Sequence, residues 1–199
     1  MVCDQCGAPL GAELDCFAAL ELPKKLRIDS QALEAAYHRL GRRIHPDRFS
    51  SGSAAVRSAS LRGTALLTRS YRTLRDPVSR GLYWLEFSGQ KLGENNQNVP
   101  PELAATVFEV QEELAEMRDA APALRAGFRE KIEGRRAELE DSMTELKSQL
   151  DANFAAWDAS GEGDHPELMV SLKGILSRIA YLRTLIRDVD RELENLKAA

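Results

Sequence analysis

The stretch HRLGRRIHPDRFSSGS, residues 38 to 53, crowds Arg39, Arg42 and Arg43 into a helical pattern and then breaks it at His45-Pro46-Asp47. Upstream, Leu33, Ala36, Tyr37, Leu40 and Ile44 recur at steps of three and four and form one apolar stripe, with the three arginines on a different face. Asp29 is a suitable N-cap, and Ile28 and Leu33 have the spacing of a hydrophobic staple around it. Pro46 ends this helix, because proline disfavours the α conformation of the residue before it. The SSGS run reads as loop. A second helix is predicted from about Ala54 to Leu74, with Leu67, Tyr71 and Leu74 on one face, and Asp76-Pro77 closes it. The segment VSRGLYWLEFSG then contributes Leu82, Tyr83, Leu85 and Phe87. With CFAALELP upstream, these pieces predict a small helical domain over residues 15–88, large enough to bury a modest core.

The 199 residues leave room for one large domain or two small ones. Hydrophobic residues at 43% and charged residues at 29% describe a soluble globular chain and exclude a disordered or membrane class. No apolar run approaches the roughly 20 residues that cross a bilayer. The N-terminus MVCDQCGAPLGAELD lacks the basic region and apolar core of a secretion signal, so a cytoplasmic protein is expected. Charge is distributed unevenly. Residues 15–90 carry 13 Lys/Arg against 7 Asp/Glu, whereas residues 100–199 carry 13 against 21. A basic half and an acidic half point to two modules with different partners.

Residues 89–101, which include SGQKLGENNQNVPP in large part, read as a linker, and Pro101 suits a first helical turn. Over residues 102–199 three long helical patterns follow. Leu103, Val107, Val110, Leu114 and Met117 alternate at steps of four and three, the spacing of a packed seam. Leu139, Met143, Leu146, Leu150 and Phe154 continue in the same style, with Gly127 and Gly134 weakening the start of that helix. After DASGEGDHP, Leu168, Leu172, Ile175, Ile179, Leu182, Ile186, Val189, Leu193 and Leu196 line a returning helix. The expected fold is all-α: a helical N-terminal domain and an antiparallel three-helix bundle.

Three functions compete for His45-Pro46-Asp47. A catalytic pair needs a nucleophile or metal held beside it, and no phosphate-binding glycine loop, nucleophile elbow or metal pattern surrounds the tripeptide. A nucleic-acid-binding helix would use the arginines, but Asp47 opposes a phosphate and no helix-turn-helix or RNA-binding signature accompanies them. As a protein-docking site the parts agree. The arginines attract an acidic partner, and a proline-constrained turn presents His45 and Asp47 at little entropic cost on binding.

The arginine-bearing helix, HPDRFSSGS, and YRTLRDPVSRGLY with its LRDP helix stop together resemble a J-domain. A J-domain followed by a linker and an acidic three-helix bundle containing VFEVQEELAEM resembles the HscB family of iron–sulfur co-chaperones. That resemblance covers roughly residues 15 to 199. It implies no active site in this chain; the partner, an HscA- or DnaK-like ATPase chaperone, performs the chemistry. By the same resemblance His45, Pro46 and Asp47 are the trigger, and Arg39, Arg42, Arg43 and Tyr37 belong to the docking face. The bundle is expected to bind an IscU-type cluster scaffold through Ala104, Ala105, Phe108, Glu109, Glu112 and Glu116. On a helix, Phe108 lies roughly 140° from the apolar seam, among glutamates, which reads independently as an interaction patch. HscB relatives often carry larger apolar residues where this chain has Ala104 and Ala105. A general J-domain co-chaperone with a different client is the alternative. No nucleic-acid or membrane partner is expected.

Cys3, Cys6 and Cys16 are the only thiols. Cys3 and Cys6 have the spacing of half a zinc site, in an N-terminal extension over residues 1–14, whereas a structural zinc normally takes four ligands. Zinc completed by Cys16 and water, or shared between two chains, is one reading, and a vestigial or redox-active pair is the other. No cofactor is required for the function that the resemblance implies.

Overall fold

The computed structural model describes residues 14–92, 99–120, 125–161, 163 and 165–198, with no side-chain description at 125, 126 and 196–198. The chain divides into two compact units, Met1–Ser88 with Trp157–Gly161, and Gly89–Ala156 with Glu162–Ala199. Among the described residues every regular element is helical.

The first unit contains α1 (Cys16–Ala19), α2 (Ser30–Ile44), a 3-10 turn (Pro46–Phe49), α3 (Ala54–Arg75) and α4 (Pro77–Phe87). Local chemistry fixes the helix ends. The Asp29 carboxylate accepts the backbone N–H groups of Gln31 and Ala32 and starts α2, and Ser53 Oγ accepts from Val56 N–H and starts α3. Between α3 and α4 the LRDP corner works at both ends. Asp76 accepts from Ser79 N–H at 2.7 Å, Pro77 takes the first helical position, and the buried Arg80 guanidinium donates to the Leu74 carbonyl at 3.0 Å. Leu33, Ala36, Leu40 and Ile44 of α2 face Leu67 and Leu74 of α3 in a core shared with Phe17, Leu20, Leu26 and Leu85. Each large aliphatic side chain buried there contributes about 1.5–3 kcal/mol. Within the same unit Asp158 accepts the backbone N–H groups of Leu26 and Arg27, both at 2.8 Å.

The short helix α4 differs from expectation. Val78, Trp84 and Leu85 are buried, whereas Leu82 is 39% and Phe87 42% exposed. With only 11 residues the helix buries one face, and Phe87 lies half a turn away from Val78 and Leu85. The Phe87 ring instead meets Trp84 at 5.9 Å and lies beneath the Lys24 ammonium at 4.6 Å. Trp84 fills the place expected of them, packing edge-on to Phe17 at 5.8 Å.

The second unit is an antiparallel bundle of α5 (Ala104–Asp119), α6 (Arg125–Ala159) and α7 (Pro166–Ala198), with a 3-10 turn (Pro101–Leu103) leading into α5. Antiparallel order between α6 and α7 is recorded by their cross-links: Arg136 with Asp190, Arg178 with Gln149 at 3.2 Å, and Asn153 with the Leu168 carbonyl at 3.2 Å. Val110, Leu114 and Met117 of α5 are buried as the seam requires, with Leu103 and Val107 half-buried at its start. Ile132, Leu139, Met143, Leu146, Leu150 and Phe154 of α6 are buried against Leu172, Ile175, Ile179, Leu182 and Val189 of α7. Leu168 and Ile186 are only half-buried; Met169, Leu176 and Leu185 take the buried places beside them. Gly127 and Gly134 do not interrupt α6, since Ile132 and Leu139 hold that stretch against the core.

A cluster of ion pairs centred on Glu113 fastens α5 to α6. Glu113, 8% exposed, accepts from Arg135 at 2.9 and 3.1 Å in a two-pronged bond, with Lys131 at 3.5 Å. The Arg135 hydrogen bonds hold the Glu113 carboxyl below the usual carboxylate range, more strongly than partial burial raises it. A carboxyl lowered in the folded state stabilises the fold above its unfolded titration range, and this is lost as pH falls through its folded value. Glu113→Gln is therefore expected to cost about 2 kcal/mol at pH 7. The deficit should shrink as pH falls below the carboxylate range, which thermal unfolding of both chains from pH 7 to pH 3 would read.

Candidate functional site

The end of α2 determines how His45-Pro46-Asp47 is held. Pro46 has no N–H to give to the Arg42 carbonyl, so the helix stops with unpaired carbonyl groups in its last turn. Three side chains take them up. Arg48 Nη1 donates to the Arg42 carbonyl at 3.4 Å, and the fully buried Ser60 donates its hydroxyl to the Ile44 carbonyl at 2.6 Å, with Thr64 Oγ1 at 3.4 Å. Two of these donors belong to α3, so the turn is tied to the helix across from it. The tripeptide does not lie in an irregular loop; it opens the 3-10 turn, with His45 as its N-cap.

Within the turn, His45 Nδ1 accepts the Asp47 N–H at 3.3 Å, Arg48 N–H donates to the His45 carbonyl at 3.0 Å, and Ser50 Oγ donates to the Asp47 carbonyl at 2.9 Å. Nδ1 also lies 3.4 Å from Asp47 Oδ2. A ring nitrogen that accepts an N–H carries no proton of its own, so in the capping arrangement His45 donates nothing to that carboxylate. The Asp47 side chain is 90% exposed. The backbone of the turn is satisfied while its carboxylate is presented to solvent.

Beside the turn, α2 and α3 enclose an open groove of about 560 Å³ whose lining includes Tyr37, His38, Arg42, His45, Arg48 and Thr68. Tyr37 is half-buried and stacks on Tyr71 at 4.3 Å. The three arginines of α2 are exposed, but they are not equivalent. Arg39 bonds Glu21 at 2.7 Å and Arg43 approaches the same carboxylate at 3.8 Å, whereas Arg42 faces the groove. Glu21 was not recognisable from sequence as their partner, because it lies 18 residues before Arg39 and outside the helix.

On α5, Phe108 is 69% exposed, and Ala104, Ala105, Glu109, Glu112 and Glu116 are exposed around it. The acidic rim is less free than its sequence implies. Glu109 lies 3.3 Å from Arg135 and Glu116 3.8 Å from Lys131, both on α6, while Glu112 has no ion-pair partner among the described residues. Gln111, Ala115 and Asp119 also share the exposed face with Phe108; helical geometry alone locates them there, and the sequence reading did not name them. Cys3 and Cys6 lie outside the described residues. Cys16 is buried at the start of α1, and no group of three His, Cys, Asp or Glu suited to a metal occurs among the described residues.

If the His45 cap sets the turn, the Asn side chain, whose Oδ1 lies as many bonds from Cα as Nδ1 does, should replace it. His45→Ala is expected to speed exchange of the Asp47 amide hydrogen by about fivefold, the factor for loss of a cap worth ~1 kcal/mol. His45→Asn is expected to leave that exchange close to wild type. Equal rates in all three chains would show that the cap does not hold the turn.

The comparisons with known proteins agree with this geometry. No family model matches the chain. A co-chaperone protein HscB homolog of Bordetella avium (strain 197N) is 37% identical over 133 residues, which cover 66% of this chain and 79% of that protein. The HscB homolog of Azoarcus sp. (strain BH72) is 28% identical over 184 residues, covering 92% and 96%. The crystal structure of human co-chaperone protein HscB superposes with a TM-score of 0.70 at 23% identity, over 95% of this chain and 88% of that one. The chaperone HscB from Vibrio cholerae gives 0.65 at 21% identity, over 92% and 99%, and at these identities both likenesses speak for the fold. The chain belongs to the HscB co-chaperone family.

Proposed function

We propose that this co-chaperone serves iron–sulfur cluster assembly in the cytoplasm, docking its first unit on an HscA- or DnaK-like ATPase chaperone and accelerating ATP hydrolysis there. The observation that carries the reading is the exposed Asp47 carboxylate on a turn whose backbone is otherwise hydrogen-bonded. A carboxylate presented in this way suits a two-pronged bond with a guanidinium of the partner. Little conformational entropy is lost when the bond forms, because the turn is already ordered. Arg42 and Arg48 line the groove beside the turn and add attraction towards an acidic surface. All bond-making belongs to the chaperone; this chain acts by binding.

The second unit holds the client, an IscU-type scaffold, on the exposed face of α5. Phe108 is the apolar anchor, and Glu112 is the carboxylate with no internal partner among the described residues. An exposed aromatic ringed by charge has the composition of an interface hot spot. Ala104 and Ala105 add little apolar area beside it. That is the observation favouring the second reading, in which the chain is a general J-domain co-chaperone and the bundle carries some other client.

Two experiments test the pair of roles. Asp47→Asn is expected to abolish stimulation of ATP turnover in an HscA-type chaperone, with helix content by circular dichroism unchanged. Undiminished stimulation would refute the docking role. Calorimetric titration with a folded IscU-type scaffold is expected to show binding that weakens about 10- to 100-fold in Phe108→Ala. No heat with the wild-type chain would favour the general co-chaperone.

A further inference from the structure

The helix α3 carries a second basic face that has no ion-pair partner among the described residues. Arg57, Arg62, Arg69, Arg72 and Arg75 are all exposed, and α3 contains no Asp or Glu. Arg57 donates to the Gly52 carbonyl, Arg62 to Ser58 Oγ at 2.6 Å, and Arg75 lies over the Tyr71 ring at 5.8 Å. Among the described residues none of the five is within ion-pair distance of a carboxylate, whereas Arg39 and Arg43 of α2 share Glu21.

Leu61 stands at one end of this face, before Arg62, Arg69 and Arg72 along the helix. It is 60% exposed and lies roughly 120° around the helix from the buried side formed by Ser60, Leu67 and Leu74. Arg62, Arg69 and Arg72 fall on the same outward side. Thr64 and Thr68, which line the groove beside the His-Pro-Asp turn, form the adjoining edge of α3, so the groove and the arginine face are one continuous surface.

We propose that this outer face of α3, carried by Arg62, Arg69 and Arg72 with Leu61 at its N-terminal end, is a second contact for the ATPase chaperone, fitting an acidic protein surface with an apolar spot at one end. The inference rests on the chaperone-docking function proposed above. The partner is a protein and not a nucleic acid for two reasons. A phosphate backbone makes no use of an exposed leucine. The aromatic ring of α3 itself, Tyr71, is already stacked on Tyr37 and offers no platform for a base. Exposed arginines raise the rate of association with an acidic partner, and an apolar contact beside them slows dissociation.

The test is stopped-flow association of the full-length chain with an HscA-type chaperone over a salt series, alongside steady-state ATPase stimulation. The triple variant Arg62→Gln, Arg69→Gln, Arg72→Gln is expected to associate ~10-fold more slowly at low salt and to lose much of the salt dependence. Arg39→Gln with Arg43→Gln should change the rate less, and Leu61→Ala should speed dissociation. Circular dichroism checks that these surface changes leave the helices intact. If the wild-type chain stimulates the chaperone in an Asp47-dependent way and the triple variant associates at the wild-type rate, the α3 contact is wrong while the docking function stands. If the wild-type chain fails to stimulate at all, the docking function falls and takes the inference with it. Loss of heparin or DNA retention in the triple variant, with chaperone association unchanged, would assign these arginines to a polyanion and also overturn it.

Discussion

The structure of the first unit depends on what becomes of the last carbonyls of α2. Pro46 removes the N–H that would have continued the helix, and buried carbonyls left unpaired cost about 1–3 kcal/mol each. Ser60, fully buried on α3, answers the Ile44 carbonyl, and Arg48 answers that of Arg42. Termination of one helix is in this way made dependent on the packing of the next. A turn that in isolation would sample many conformations is held by the same contacts that assemble the core. The Asp47 carboxylate is consequently displayed by a rigid support, which is what a binding trigger requires.

Charge in this molecule divides into two kinds of use. Glu21 with Arg39 and Arg43, and Glu113 with Arg135 and Lys131, spend opposite charges on internal structure. Asp47, Glu112 and the arginines of α3 remain directed at solvent. Counting charges by segment describes a basic half and an acidic half but does not separate these uses. The separation matters for function, because a carboxylate already bonded to a guanidinium offers little to a partner. Glu109 and Glu116, drawn towards α6, are therefore weaker candidates for client contact than Glu112.

Much of the fold was legible because its signals are local. Asp29, Ser53 and Asp76 cap the helices they precede, and Pro46 and Pro77 mark a stop and a start through their own backbone chemistry. The spacing of Leu33, Leu40 and Ile44, or of Val110, Leu114 and Met117, reports a buried face through helical periodicity alone. The exposed position of Phe108 followed from the same periodicity. What was not legible involves partners distant in sequence. Nothing near Ser60 announces that its hydroxyl will meet the Ile44 carbonyl 16 residues earlier, and nothing in α2 announces Glu21. The exchange of Leu82 and Phe87 for Trp84 in the core has the same origin: all three are apolar, and only the neighbours of α4 decide which one is covered.

The claim on which the account rests is that Ser60 and Thr64 of α3, by pairing the Ile44 carbonyl at the end of α2, hold the His-Pro-Asp turn in its working form. It is tested most directly by the double variant Ser60→Ala, Thr64→Val, which removes both hydroxyls and leaves the apolar packing nearly unchanged. At a temperature where the variant remains folded by circular dichroism, its stimulation of ATP turnover in an HscA-type chaperone should fall about tenfold, in step with a stability loss of about 1–3 kcal/mol. Full stimulation by the folded double variant would contradict the account, because the turn would then keep its form without the bonds said to hold it.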